Sequence, residues 1–79
     1  MRLTLISPTK KETFEIAWAE CNTPTGNFII QPGHAPLILT LSKQKPFTYC
    51  LRNGNQEIVM VKEGAIVEIT RESVMVLMS

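Results

Sequence analysis

Turn signals break this chain of 79 residues into short pieces. They fall at Ser7-Pro8, Pro24-Thr25-Gly26-Asn27, Pro32-Gly33, Asn53-Gly54-Asn55, Gly64 and the polar Thr70-Arg71-Glu72-Ser73. Between them lie runs rich in Ile, Val, Leu and Thr. Short β-prone runs, broken roughly every eight to twelve residues, are the pattern of a sandwich or barrel. The spacing predicts strands over residues 2–6, 12–20, 27–31, 37–42, 47–52, 56–62, 65–69 and 73–78.

The clearest hairpin spans residues 47–62. Phe47, Tyr49 and Leu51 alternate with Thr48, Cys50 and Arg52, which gives one bulky apolar face. Asn53-Gly54 then supplies residues that tolerate positive φ in a tight turn. The return run, Ile58 to Val61, is apolar on both faces, as a central strand covered twice would be. "GAIVEIT" and "SVMVLM" form a second hairpin about Arg71-Glu72. Residues 10–21 read two ways. Phe14, Ala17, Trp18 and Cys21 fit one face of a helix, whereas Phe14, Ile16 and Trp18 fit one face of a strand. The strand reading keeps Ile16 with the two aromatics and is preferred.

A chain of this length is one domain, residues 1–79, and hides only somewhat over ~60% of its unfolded surface, so a partner would add stability. "IVMV" and "VMVLM" offer apolar side chains in both directions, more than an internal core alone needs. Eight Lys and Arg against seven acids leave a net charge of +1. The basic residues are scattered, which argues against a nucleic-acid partner. Residues 1–6 are apolar but too short for a signal or a membrane span.

Chemistry has few candidates. All seven acids are Glu, which removes the commonest hard-metal ligand and the usual partner of a catalytic histidine. A thiol enzyme would have to combine Cys21 or Cys50 with His34, the only histidine. Two free cysteines on or beside strands are more simply small hydrophobes, as expected in a reducing compartment. Two Cys and one His fall short of a closed zinc site, and no close Cys pair is present. Glu57, Glu63, Glu68 and Glu72 mostly sit beside turns as solvated strand ends. "PTGN" at 24–27 is a turn and not a phosphate loop. No catalytic, metal or cofactor-binding residue is expected, and no small-molecule substrate.

The remaining feature is "QPGHAPLIL", from Gln31 to Leu39. Pro32 fixes φ near −65° and Gly33 permits positive φ, which suits the middle of a type II turn. Pro36 pushes Ala35 towards an extended backbone and withholds a donor. The result is a stiff corner with His34 at its apex. It is either a plain connection between strands or a preorganised docking edge that loses little entropy on binding.

"GNFIIQPGHAPLILTL" resembles the Gly-x-x-(Gly/Ile)-Ile-x-Pro-Gly-His-Ala-Pro-Leu segment of the epsilon subunit of F-type ATP synthase, called delta in mitochondria. "LTLISPTKKETFE" is similar to that family's opening strand and turn, and "VKEGAIVEITRESVMVLMS" to its closing strands. The correspondence runs from Leu3 to Met78. It implies a flattened all-β sandwich of about ten short strands and makes residues 12–20 strand. It also implies a non-catalytic rotor subunit at the foot of the central stalk of a proton- or sodium-translocating enzyme. Such a subunit packs on gamma and touches the ring of c subunits, peripheral to the membrane on its cytoplasmic side or in the equivalent organelle compartment. It couples ring rotation to ATP synthesis.

By position, Ser7, Gly33, His34, Ala35 and Leu37 match residues facing gamma, and Gly26, Asn27 and Phe28 match the loop that touches the c-ring. The sequence departs from the family at four places. Asn27 stands where an acid is usual, Ile29 where a glycine is usual, Glu63 replaces the first of two glycines, and "LSKQKPF" replaces a more typical Lys-Pro-Gly turn. In the family a C-terminal helical hairpin follows the position of Ser79; a chain ending there is expected to lack it, and with it the inhibitory and nucleotide-binding properties. The departures support a second reading, a free-standing β-sandwich adapter related to the family but bound to another protein.

Overall fold

A computed structural model describes all residues from Met1 to Ser79. The chain forms eight strands: β1 (Arg2–Ser7), β2 (Lys10–Thr23), β3 (Gly26–Ile30), β4 (Leu37–Leu41), β5 (Lys45–Leu51), β6 (Gln56–Val61), β7 (Ala65–Ile69) and β8 (Ser73–Met78). The eight predicted runs are all present, with β2 longer than expected at both ends. The total is eight rather than about ten, because one long strand serves two sheets. Residues Lys10 to Glu15 of β2 pair with β1, whereas Ile16 to Thr23 pair with β5 and β3.

The first sheet runs β4-β7-β8-β1-β2 and the second β3-β2-β5-β6, joined through β2. The first and last strands lie side by side and parallel, Leu3 opposite Val74 and Leu5 opposite Val76. Ser42 N–H donates to the Asn22 carbonyl at 2.9 Å and draws the end of β4 against the far half of β2. The molecule measures 28 × 27 × 19 Å. Its short axis suits two layers about 10 Å apart plus their outward side chains.

Inward-facing side chains of the two sheets fill the space between the layers. Leu3, Leu5, Val67, Ile69, Val74 and Val76 from the first sheet meet Ile16, Ala19, Ile30, Phe47 and Val61 from the second, all buried. Tyr49 stacks on Phe14 with ring centroids 5.3 Å apart. No buried side-chain nitrogen or oxygen lacks a hydrogen-bond partner.

Two sequence expectations fail, each for a physical reason. Phe14, Ile16 and Trp18 do not share a face. The β2–β5 register slips between Ile16 and Trp18, leaving Ala17 exposed as an extra residue. A bulge of this kind bends a strand and reverses its alternation. Ala19 and Cys21 therefore point inward beyond it, and Trp18 lies half-buried on the outside. The second failure is β6, which is not a central strand covered twice. It pairs only with β5 and ends its sheet, with Ile58 and Met60 exposed.

Both predicted hairpins form. Between β5 and β6, Gly54 N–H donates to the Leu51 carbonyl at 2.9 Å, and Leu51 N–H to the Asn55 carbonyl at 2.8 Å. Gly54 has φ +95° and Asn53 stays at negative φ. The connection is thus a three-residue loop with a glycine bulge.

Candidate interaction surface

Each end of the molecule and each outer face can be built from the strand register. At one end lies the proline corner. His34 N–H donates to the Gln31 carbonyl at 3.2 Å and Gly33 has φ +85°, which makes Gln31–His34 the type II turn expected of Pro32-Gly33. Gly33 N–H donates to the Arg71 carbonyl at 2.8 Å, and Arg2 N–H to the Glu72 carbonyl at 3.0 Å. The corner is therefore tied to the tip of the β7–β8 hairpin and the start of β1.

His34 is half-buried, and the other residues of the corner, Gly33, Ala35, Pro36 and Leu37 among them, are exposed. The imidazole Nδ1 lies 2.7 Å from the Ala35 carbonyl. A carbonyl only accepts, so Nδ1 carries the hydrogen and the ring is held in that tautomer. The imidazole acts as a brace within the turn.

Ser7 lies elsewhere. It closes β1, whose first residue Arg2 touches the β7–β8 tip. Five residues of strand, about 17 Å, separate the two. The structure does not bring Ser7 to Gly33, His34, Ala35 and Leu37, but sets it at the opposite end of the same sheet. The outer face of that sheet lies between them. One row across it reads Thr40, Ile66, Leu77, Ile6 and Lys11, and the next Ile38, Glu68, Met75, Thr4 and Thr13. Ile38, Ile66 and Leu77 are 67%, 52% and 44% exposed. The excess of apolar residues in "VMVLM" is the sequence signal for this face. Strand order was needed to assemble it.

Gly26, Asn27 and Phe28 form one exposed patch at the tip of the β2–β3 hairpin. Thr23 fixes that tip, its hydroxyl donating to the Gly26 carbonyl at 2.8 Å. The Asn27 amide donates to Asn22 Oδ1 at 3.0 Å, and Asn22 donates in turn to the Pro46 carbonyl at 2.8 Å. That second bond serves a carbonyl beside the position where Pro46 has no N–H to offer a neighbour. An open groove of about 590 Å³ runs from Pro24 at this tip to Ile66 and Leu77.

The candidates for chemistry stay apart. Cys21 is fully buried, and burial, with Glu20 adding repulsion, pushes its thiol from 9.0 up to about 11. A thiol held in its neutral form is a poor nucleophile. The Cys50 thiol meets the Leu51 carbonyl at 3.4 Å. No three His, Cys, Asp or Glu side chains group closely enough to hold a metal ion. No helix of the structure is long and apolar enough to cross a membrane.

The fold and its surface define a small two-layer β-sandwich with a proline-braced corner and an exposed apolar sheet face. The profile of a family described as "ATP synthase, Delta/Epsilon chain, beta-sandwich domain" matches residues 1–79. The chain belongs to that family. No curated protein matches it. Among solved structures, it is similar to a chain of the Euglena gracilis mitochondrial ATP synthase OSCP/F1/c-ring assembly. That match has a TM-score of 0.83 and 16% identity, and covers 96% of this chain and 48% of the other. A chain of the Tetrahymena thermophila mitochondrial ATP synthase central stalk and c-ring matches with a TM-score of 0.73 and 17% identity, over 100% and 63% of the two chains. At such identities the likeness is one of fold. The chain spans less than two thirds of the length of either.

Proposed function

We propose that this chain is a non-catalytic rotor subunit of the central stalk of a proton- or sodium-translocating F-type ATP synthase. It docks on the gamma subunit through the outer face of the first sheet, with Ser7 at one end and Gly33, His34, Ala35 and Leu37 at the other. The β2–β3 tip, Gly26, Asn27 and Phe28, reaches towards the c-ring. In this role the chain is peripheral to the membrane, carries no active site or cofactor of its own, and passes ring rotation to the catalytic subunits. Family membership supports the role. The observation that carries the docking face is the exposure of Ile38, Ile66 and Leu77 between Ser7 and the corner.

Covering the exposed part of one such side chain gains roughly 1 kcal/mol, and burying a carboxylate in its place costs more. Ile66→Glu and Leu77→Glu are therefore expected to weaken binding to purified gamma at least about tenfold, measured by calorimetry with folding checked by circular dichroism. Wild-type affinity in both folded variants would overturn the assignment of this face. One observation favours the alternative, an adapter for another protein. Asn27 is engaged with Asn22 and offers no carboxylate to a basic ring loop. Binding of gamma by the wild-type chain excludes that alternative, and its absence favours it.

A further inference from the structure

We infer that the free edge of β6 is a strand-pairing site whose occupant is a second copy of this chain, joined antiparallel about Ile58. Hydrogen-bonded pairs alternate along an antiparallel ladder. The narrow pair of Leu51 with Asn55 at the hairpin loop places the next ones at Tyr49–Glu57, Phe47–Val59 and Lys45–Val61. The backbone N–H and C=O groups of Gln56, Ile58 and Met60 therefore point away from β5, where no strand follows.

Soluble proteins blunt such edges with proline, lysine, bulges or covering loops. The other open edges show these devices. Pro36 precedes β4, and the bond from Ser42 to Asn22 holds its far end; β3 is five residues long and starts at Gly26. From Gln56 to Val61 there is no Pro, Gly or Lys. Ile58 and Met60 stand 67% and 54% exposed on the outer face.

The edge is also complementary to itself. With Ile58 of one copy opposite Ile58 of the other, Gln56 falls opposite Met60, so the outward-pointing groups meet one another. Glu57 falls opposite Val59 and Lys62 opposite Gly54, so no like charges face. The two four-stranded sheets become one of eight. A six-residue edge about 20 Å long on a sheet about 10 Å thick covers on the order of 200–400 Å² per copy, against ~800 Å² for a standard interface. The pair is thus weak and concentration-dependent. Nothing in this inference requires the stalk role.

Sedimentation equilibrium of the chain from about 10 µM to about 1 mM, a range that reports weak association, tests it. The average mass is expected to rise from 8.9 kDa towards twice that value. Ile58→Pro removes only the outward N–H and breaks no bond to β5, which an edge strand tolerates. It should remain monomeric throughout. Ile58→Lys should do the same, as an edge lysine does, and serves if the proline variant fails to fold. Amide exchange at high concentration should slow at Gln56, Ile58 and Met60. A chain monomeric at 1 mM, a dimer that survives both substitutions, or slowed exchange on β3 or β4 would each overturn the site. Weakened gamma binding in Ile58→Pro, at concentrations where the wild type is monomeric, would assign the edge to a strand of gamma and overturn the second copy as its occupant.

Discussion

A mirror-image substitution at Gly33 isolates the backbone of the proline corner. Gly33 has φ +85°, and a Cβ added there would meet no atom within 4 Å. Neither enantiomer of alanine clashes, so the difference between them is conformational. L-Ala at positive φ costs about 1–2 kcal/mol. Its narrower unfolded ensemble returns about 0.4–1 kcal/mol, which leaves a net loss near 0.5–1 kcal/mol. D-Ala prefers positive φ and keeps the unfolded-state gain, so it should stabilise by about 0.5–1 kcal/mol. Ligation at Cys21 and Cys50 places residue 33 in the middle of three segments, within reach of synthesis. With a urea slope near 1 kcal/mol/M for a chain this small, the L variant should unfold about 0.5–1 M earlier than wild type and the D variant about as much later. Shifts of the same sign and size for the two enantiomers would refute a left-handed Gly33, and with it the type II turn on which the corner's rigidity rests.

Folding raises the pKa of the Cys21 thiol from 9.0 to about 11 through burial and then Glu20, so the folded state holds that proton more tightly. Stability should be intact below pH 9 and fall by roughly 2–3 kcal/mol between pH 9 and 11. Tyr49, raised by burial and then by Glu57 and Glu12, adds a loss of the same sign. Urea titrations across that range check this, and an unchanged slope in Cys21→Ala would assign the loss elsewhere. Asn22→Ala removes two part-buried or exposed hydrogen bonds and should cost about 1–2 kcal/mol. Asn27→Ala removes one exposed bond and should cost less than about 1 kcal/mol; equal losses would contradict the ladder from Asn27 through Asn22 to Pro46.

Local chemistry was legible in the sequence where a few adjacent residues decide the backbone. Pro32-Gly33 makes the type II turn its φ preferences demand, Gly54 but not Asn53 takes the positive φ offered at the β5–β6 loop, and the alternation of Phe47, Tyr49 and Leu51 is the inner face of β5. What stayed hidden depends on pairing between distant segments. Ala17 suits a helix, a strand or a bulge equally, so nothing local announces that it carries Trp18 to the outer surface. "IVMV" is apolar on both faces whether its strand is central or terminal, and only the strand order shows that β6 is an edge. Ser7 and His34 were grouped by resemblance to one partner. Their distance along β1 follows from the parallel pairing of the first and last strands, which no short motif encodes.

The distribution of exposed apolar side chains separates binding from folding. Eight large hydrophobic residues are exposed. Ile38, Ile66 and Leu77 lie on one outer face, Ile29, Ile58 and Met60 on the other, and Phe28 and Leu37 at the margins. The side chains that hold the layers together, Leu3, Ile16, Phe47, Val67 and Val76 among them, project from the opposite faces of the same two sheets. A substitution at Ile66 or Ile58 therefore leaves the core contacts in place, while one at Val67 opens a cavity costing on the order of 2 kcal/mol or more. A partner covering either face adds stability through its affinity alone, by RT ln(1 + [partner]/Kd), or about 2.7 kcal/mol at a hundred times Kd. A tenfold loss of affinity in Ile66→Glu should remove about half of that increment, about 1.3 kcal/mol, in the presence of gamma, yet leave the unfolding midpoint of the free chain nearly unchanged. A fall in the free-chain midpoint as large as that of Val67→Ala would place Ile66 in the core and remove the outer face of the first sheet as a docking surface.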